Sequence, residues 1–186
     1  AASSSDSNYN NLNPSDVSLS NIHNDWKGIR QLGSTQDDNP QGMKIDSSGN
    51  VYIGGSTWGG LDGNTNAGSR PSGDIFLLKY NSSGIKQWTK QTGIEDSSGE
   101  TDFAHGLDLD SDANIYLAGV TDGDLDGITN SGGYDIFLMK YNSSGTKQWT
   151  KLTGNSYSNS AAGVALDPNS NNIYVTGVNQ GTLDGQ

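Results

Sequence analysis

Side chains that could do chemistry gather in short segments rich in glycine and aspartate. The stretch "DGDLDG" places Asp122, Asp124 and Asp126 at alternate positions before Gly127, which is how a calcium-binding loop begins. The pattern then ends, because the acidic residue expected eleven positions after Asp122 is Gly133. We therefore predict either a calcium site at the three aspartates or structural turn acids, and no other cofactor.

Candidate ligand-binding side chains occupy the same kind of segment. Trp58 lies in a long loop and could stack on a sugar, and His105 stands where equivalent segments carry other residues. The full set of candidates is Trp58, Asp62, Arg70, His105 and Asp126. Signatures of common hydrolases, zinc proteases and phosphate-binding loops do not occur. We therefore predict no catalytic residues and a protein that is not an enzyme, with a hydrolase or lyase acting on polysaccharide as the alternative.

Composition restricts the partners. The formal net charge is −11, whereas nucleic acids and anionic membranes attract basic surfaces. No apolar run approaches the roughly 18 residues of a membrane-spanning helix, and there are no cysteines. We expect no nucleic-acid partner, no membrane span and no thiolate metal site.

The elements that position these residues come from an internal repeat. Residues 74–93 and 135–154 are identical at 17 of 20 positions, and both end in "TG". The glycines Gly33, Gly93 and Gly154 lie 60 and 61 residues apart, so the repeat is about 60 residues long.

Within one repeat, apolar residues alternate with a period of two, which predicts strands. Met43 and Ile45 flank Lys44, as Leu107 and Leu109 flank Asp108. Turn-forming stretches such as "SSGN" and "NSSG" divide each repeat into two hairpins, and therefore into four strands. The third strand, "DIFLLKY", is apolar on both faces, and the fourth, "KQWTKQT", is polar, as expected for a covered strand and an exposed edge.

Four antiparallel strands repeated at this period predict an all-β fold, a β-propeller built of four-stranded antiparallel blades. A β-solenoid is the alternative. The chain supplies a partial ring of about 2.5 to 3 blades. We predict a flexible N-terminal arm at residues 1–25, with one strand at residues 16–22, followed by propeller repeats at residues 26–186. The repeats divide into a fourth strand at 26–33, repeats at 34–93 and 94–154, and a truncated repeat at 155–186.

Three longer strings carry a family resemblance: "IDSSGNVYIGG" from Ile45, "LDGITNSGGYDIFLMKYNSSGTKQWTK" from Leu125, and "WTKQTG" from Trp88. Over residues 26–186 the sequence resembles the bacterial SBBP β-propeller repeat family. The resemblance implies a propeller in secreted or cell-surface bacterial proteins. It implies no catalytic residues, because the family shares none.

The loops that vary in length should all emerge on one face of the propeller, and most of them are acidic. We expect this acidic face to bind a protein or glycan partner, so that the chain acts as a non-enzymatic structural or adhesive module. We expect it outside the bacterium or on its surface. Because the blades do not close a ring, we expect either a fragment of a longer propeller or a homodimer that completes one.

Overall fold

The computed structural model describes residues 17–20 (backbone only), 29–67, 72–94, 99, 101–170 and 172–182. Within these ranges the protein is all-β, with twelve strands and a single 3-10 turn at Leu61–Gly63. None of the described residues form a helix long and apolar enough to cross a membrane. The predicted fold class is confirmed.

The strands form two complete four-stranded antiparallel sheets and two strand pairs. Blade 1 contains β3 to β6 and blade 2 contains β7 to β10, each in chain order; the half blades are β1–β2 before them and β11–β12 after them. The strands are β1 Val17–Ser20, β2 Ile29–Leu32, β3 Asp38–Ile45, β4 Val51–Thr57, β5 Asp74–Tyr80, β6 Lys86–Thr92, β7 Asp102–Leu109, β8 Ile115–Thr121, β9 Asp135–Tyr141, β10 Lys147–Thr153, β11 Ser160–Leu166 and β12 Ile173–Val178.

Burial across each blade follows the sequence pattern. The second strands β4 and β8 are buried at every residue, and the third strands β5 and β9 at nearly every residue. The fourth strands β6 and β10 have no fully buried residue. The prediction of a third strand covered on both faces and a polar fourth strand is confirmed.

The main hydrophobic core lies between the blades. Blade 1 contributes Tyr52, Ile75 and Leu77, and they share one cluster with Phe137 and Met139 of blade 2. Both of the latter side chains have 0% exposed surface. Each sheet therefore buries its apolar faces against its neighbours, as a propeller blade must.

The first strands β3, β7 and β11 lie side by side, and glycine permits their approach. A Cβ atom built on Gly106 would lie 2.8 Å from the Cα of Gly163, and one built on Gly42 would lie 3.0 Å from Leu107 Cβ. The contact at Gly106 could not form without a shift of β11, and the one at Gly42 would require Leu107 to move by a few tenths of an ångström. Gly42 and Gly106 are thus required by inter-blade packing, whereas a Cβ on Gly163, the third glycine of this kind, would meet nothing within 4 Å.

The two ends of the blades differ. We call the end at which β4, β6, β8 and β10 finish and β5, β7, β9 and β11 begin the loop face, and the opposite end the turn face. The hairpins of the turn face have the same hydrogen bonds in both complete blades. Asp46 accepts hydrogen bonds from the Ser48 and Asn50 amides and from Asn50 Nδ2. Asp110 accepts them from the Asp112 and Asn114 amides and from Asn114 Nδ2. Burial raises the pKa of Asp46, but these hydrogen bonds outweigh it and the net pKa is lowered.

The N-terminal pair β1–β2 repeats the register of a third and fourth strand. Val17 pairs with Leu32, as Ile75 pairs with Thr92 in blade 1. The remainder of the arm predicted at residues 1–25 lies outside the described residues.

Candidate functional site

Each third strand begins with a buried aspartate on the loop face. Asp74 Oδ2 accepts hydrogen bonds from the Ala67 amide and Gln91 Nε2, both at 2.9 Å, and Asp135 Oδ2 accepts one from the Ser131 amide at 2.8 Å. Both aspartates therefore bind a backbone amide of the loop that precedes their strand. Burial raises the pKa of Asp74, and the two hydrogen bonds partly oppose this.

The closing glycine of each repeat makes room for this aspartate. A Cβ on Gly93 would lie 2.1 Å from Asp74 Oδ1, and one on Gly154 would lie 1.8 Å from Asp135 Oδ1. Neither Oδ1 atom has a hydrogen-bond partner. The spacing of about 60 residues between Gly93 and Gly154 therefore arises from an Asp–Gly contact that occurs in both complete blades.

A further aspartate, Asp102, begins β7 and is fully buried. Neither carboxylate oxygen has a hydrogen bond of normal length and geometry. Burial raises the pKa of Asp102 to about 7, the Thr121 hydroxyl opposes the rise, and the charges of Asp74 and Asp122 add to it. A carboxyl group sealed in this way cannot reach a ligand, and it bears on stability instead.

The predicted ligand-binding residues Asp62 and Asp126 occupy the outer rim of their blades. Asp62 forms an ion pair with Lys86 of β6, and its other oxygen accepts a hydrogen bond from Thr89 at 2.6 Å. Asp126 pairs with Lys147 of β10 and with Thr150 in the same manner. Both backbones have positive φ, 56° and 54°. These two residues are equivalent structural contacts in successive blades. Among the described candidates, their side-chain partners are Lys86, Thr89, Lys147 and Thr150 rather than Trp58 or His105.

The three aspartates of the predicted calcium site point to different partners. Asp122 Oδ1 accepts a hydrogen bond from the Thr101 amide and Asp124 Oδ1 from the Asn130 amide, while Asp126 is held by Lys147. Among the described residues, no group of three or more acidic, histidine or cysteine side chains is arranged to hold a metal ion. The calcium site stays a prediction that this geometry does not favour.

Trp58 and His105, by contrast, are brought to one place. The Trp58 ring lies 5.8 Å from the Phe103 ring, and Phe103 stacks on His105 with ring centroids 6.3 Å apart and planes 13° apart. All three side chains are half-buried. The three rings form a row that runs from the residue after β4 in blade 1 to the first strand of blade 2, β7.

His105 occupies a β-bulge. The register of β7 against β8 shifts between Ala104 and Gly106, so His105 is the extra residue. Its Nδ1 atom donates a hydrogen bond to the carbonyl oxygen of Ala161 in β11, since a carbonyl can only accept. Neutral His105 is therefore left with Nε2 as a hydrogen-bond acceptor.

A cleft of about 350 Å³ on the loop face continues this row. Phe103 and Tyr134 form its aromatic walls, while the exposed residues Ser158, Ser160 and Gln180 supply hydroxyl and amide groups. Tyr134 is half-buried, and burial followed by the nearby Asp122 carboxylate raises its pKa. We call Trp58, Phe103, His105 and Tyr134 the loop-face aromatic cluster.

Sequence reasoning missed two members of this cluster. Phe103 is equivalent by register to Asn39 and Ser160, and Tyr134 is equivalent to Gly73. The available signal was an aromatic residue that breaks the repeat. All four members of the cluster break the repeat in this way, and the structure brings them together.

Among the described acids of the loop face, four are not free to attract a ligand. Asp38 and Asp102 are buried, and Asp62 and Asp126 are paired with lysine. Four further loop acids, and the candidate Arg70, lie outside the described residues: Glu95, Asp96, Glu100 and Asp184.

The antiparallel four-stranded sheets, packed face to face with their first strands side by side, are blades of a β-propeller. A family model described as "Beta-propeller repeat" (SBBP) matches residues 27–62, 87–126 and 148–178, which together exceed half of the chain. The chain therefore belongs to the SBBP β-propeller repeat family, and the resemblance found in the sequence is confirmed.

The chain is also similar to a curated protein, the "Regulatory protein FlaEY" of Caulobacter vibrioides. The two are 28% identical over 152 residues, which cover 75% of this chain and 15% of FlaEY. The chain thus spans only a small part of the length of that relative.

Proposed function

We propose that the chain is a non-enzymatic binding module of a secreted or cell-surface bacterial protein, with the loop-face aromatic cluster as its contact surface. The observation that carries this proposal is the convergence of residues that break the repeat. Scaffold positions recur from blade to blade because every blade needs them. Side chains that differ between equivalent positions and yet meet in space are available for recognition.

The chemistry of the surface favours a glycan ligand. Half-buried aromatic rings present flat apolar faces, and the hydroxyl groups of Ser158 and Ser160 and the amide group of Gln180 lie beside them. A ligand with apolar ring faces and peripheral hydroxyl groups matches both features. The name of the relative FlaEY gives a regulatory role, which makes a protein partner the alternative ligand.

A hydrolase remains the alternative function, and it would need accessible carboxylates near His105. Among the described residues, His105 contacts the Phe103 ring and the Ala161 carbonyl, and the nearby Asp102 is fully buried. These observations support binding over hydrolysis.

The experiment replaces cluster residues by those that the equivalent positions already carry. Phe103→Ser copies Ser160, Tyr134→Gly copies Gly73, and His105→Gln copies Gln41. Such variants should fold, because sister units accept these residues. We expect the wild-type protein to bind a subset of bacterial polysaccharides on a glycan array. Phe103→Ser should lower the affinity for those polysaccharides at least about tenfold, or about 1.4 kcal/mol.

Asp62→Asn on the outer rim is the matched control and should bind like wild type. Product analysis of the same polysaccharides tests the enzyme alternative, and release of reducing ends would overturn the non-enzymatic proposal. If the wild type and all cluster variants bind the glycans with equal affinity, the loop-face aromatic cluster is not the binding site.

A further inference from the structure

The titratable groups of the loop-face aromatic cluster are arranged to accept hydrogen bonds. The Nδ1–H group of His105 donates to the Ala161 carbonyl, which leaves Nε2 as an acceptor. Burial, the charge of the nearby Asp122 carboxylate and a hydrogen bond between the two side chains raise the pKa of Tyr134. In that hydrogen bond the hydroxyl must donate, because an ionised carboxylate can only accept. The phenol oxygen of Tyr134 is therefore also left as an acceptor.

Asp122 supplies a negative charge beside these acceptors. The residue follows β8 directly and is half-buried, and its Oδ1 atom accepts a hydrogen bond from the Thr101 amide. The salt bridges between described residues involve other acids, so no lysine or arginine in this part of the chain neutralises Asp122. Its charge is thus available to a ligand.

Two other tyrosines of the protein show what completes a pair of tyrosine and aspartate. On the turn face of blade 1, the Tyr52 hydroxyl donates to Asp46 Oδ2 at 3.1 Å. An ammonium group covers the same ring, with Lys79 Nζ 4.9 Å from the ring centroid. The equivalent group in blade 2 consists of Tyr116, Asp110 and Lys140, with distances of 3.2 Å and 4.9 Å. Each tyrosine is thus bound to a carboxylate at its hydroxyl and to a cation at its face.

The pair formed by Tyr134 and Asp122 has the tyrosine and the carboxylate but not the cation. Within the described ranges, no lysine or arginine lies over the Tyr134 ring, and none lines the adjacent cleft. Burial raises the pKa of Asp102, at the start of β7, to about 7, and the charges of Asp74 and Asp122 contribute to the rise. The surroundings of the pair are therefore negative, so they attract a cationic group and repel an anionic one.

We propose that the loop-face aromatic cluster and Asp122 together bind the ammonium group of an amino sugar. The inference rests on the proposed glycan-binding function and narrows its ligand class to glycans with free amino groups. The ammonium group would lie over Tyr134 and beside Asp122, as lysine does in the two turn-face groups. The residues that carry the inference lie between positions 101 and 134, in blade 2, where all four strands are present.

The aromatic row favours a sugar over a lysine side chain of a protein partner. A lysine would need only the pair of Tyr134 and Asp122, whereas the ring of an amino sugar would also stack on the half-buried Phe103. The exposed Ser158 and Ser160 line the same cleft and would bind hydroxyl groups of the sugar. The surface thus offers contacts for the ammonium group, the ring and the hydroxyl groups of one ligand.

The test compares two oligosaccharides that differ only at the amino group, a glucosamine hexasaccharide and the corresponding N-acetylglucosamine hexasaccharide. Titration calorimetry with the 186-residue protein should show at least about tenfold tighter binding of the glucosamine form. Added salt should reduce this preference, because it screens the attraction between the ammonium group and Asp122. Phe103→Ser should weaken the binding of both oligosaccharides.

Asp122→Asn separates the charge of the site from its shape. Asparagine keeps an oxygen that can accept the hydrogen bond from the Thr101 amide, but it removes the negative charge. The preference for glucosamine should fall below about threefold, while the affinity for the N-acetylated form stays unchanged. Asp124→Asn is the matched control, since Asp124 lies in the same loop, is exposed and accepts a hydrogen bond from the Asn130 amide. This variant has the same net charge as Asp122→Asn and should keep the full preference.

Equal affinity of the wild type for the two hexasaccharides would overturn the inference and leave the proposed glycan-binding function intact. If no glycan on the array binds at all, the proposed function fails together with the inference. A preference that both aspartate variants lose to the same extent would assign it to overall charge and refute the site. Tighter binding of a lysine pentapeptide than of the glucosamine hexasaccharide would refute the amino sugar in favour of a protein ligand.

Discussion

Strands β8 and β12 occupy the same place in successive repeats and have similar sequences, "IYLAGVT" and "IYVTGV", yet their environments differ. Every residue of β8 is buried, and five of the six residues of β12 are exposed. The difference shows that the core belongs to the interfaces between units. A strand becomes interior only when a neighbouring strand and a neighbouring blade cover it.

The largest expected effect tests this comparison directly. Leu117 of β8 packs in the core between blades 1 and 2, so Leu117→Ala should lower the free energy of unfolding by about 2–5 kcal/mol. Val175→Ala at the equivalent position of β12 should cost less than about 1 kcal/mol, since that side chain is already partly in solvent. Urea denaturation of both variants measures the two values. Equal losses would mean that β12 is covered in solution.

The next prediction uses buried polar residues at equivalent positions. Asp102 begins β7, and Asn159 holds the same position before β11, where its Nδ2 donates to the Tyr134 and Tyr157 carbonyls. Asp102→Asn should stabilise the protein at pH 8 by up to about 4 kcal/mol, because a buried unpaired carboxylate disappears. Asn159→Asp should have the opposite sign.

The pH dependence of that effect follows from the raised pKa of Asp102, about 7 in the folded protein. Folded Asp102 holds its proton more tightly than the unfolded chain, whose aspartates titrate near about 4. Wild-type stability should therefore fall as the pH rises from about 4 to 7 and then level off. Thermal denaturation at pH 4 should show little difference between wild type and Asp102→Asn. A gain as large at pH 4 as at pH 8 would exclude ionisation as the cause.

A smaller effect should separate the glycines of the first strands. Gly106 has no room for a Cβ beside Gly163, whereas a Cβ on Gly163 itself would meet nothing within 4 Å. Gly106→Ala should cost about 1–3 kcal/mol through displacement of β11 from β7. Gly163→Ala should be neutral or slightly stabilising, because alanine reduces the entropy of the unfolded chain. Guanidinium denaturation midpoints compare the pair, and a loss in both variants would place another strand against β11.

The smallest effect concerns the rim. Asp126→Asn removes the ion pair with Lys147 but retains a residue that tolerates positive φ. The free energy of unfolding should fall by about 0.5–1 kcal/mol at low salt, and by less in about 1 M NaCl, because salt screens exposed ion pairs. Asp62→Asn in blade 1 should behave alike. A much larger loss at Asp126 alone would show that the rim contact has a role specific to blade 2.

The sequence predicted those parts of the structure that depend on interactions between residues close together in the chain. The alternation of apolar residues at Met43 and Ile45 is one example, and the hairpin turns that follow such strands are another. The spacing of Gly93 and Gly154 revealed the repeat before its cause was visible. That cause is contact with Asp74 and Asp135, which lie about 19 residues earlier in each repeat.

The candidate site could be predicted only in part, because it is assembled across blades. Trp58 and His105 were recognised as unusual, but the residue that connects them, Phe103, becomes visible only once β4 and β7 are placed together. The ion pairs of Asp62 and Asp126 could not be predicted for the same reason. Their lysine partners stand 24 and 21 residues away, and loop sequence does not reveal an ion pair with a distant strand.

The bulge in each first strand has a consequence for how such repeats diverge. Gln41, His105 and Ala162 are the extra residues of three equivalent bulges, so each side chain is released from the strict alternation that the rest of its strand obeys. An amide, an imidazole and a methyl group are all accepted there. After gene duplication, a single codon per copy can therefore change the side chain at the bulge of a first strand without compensating changes in the residues packed around it.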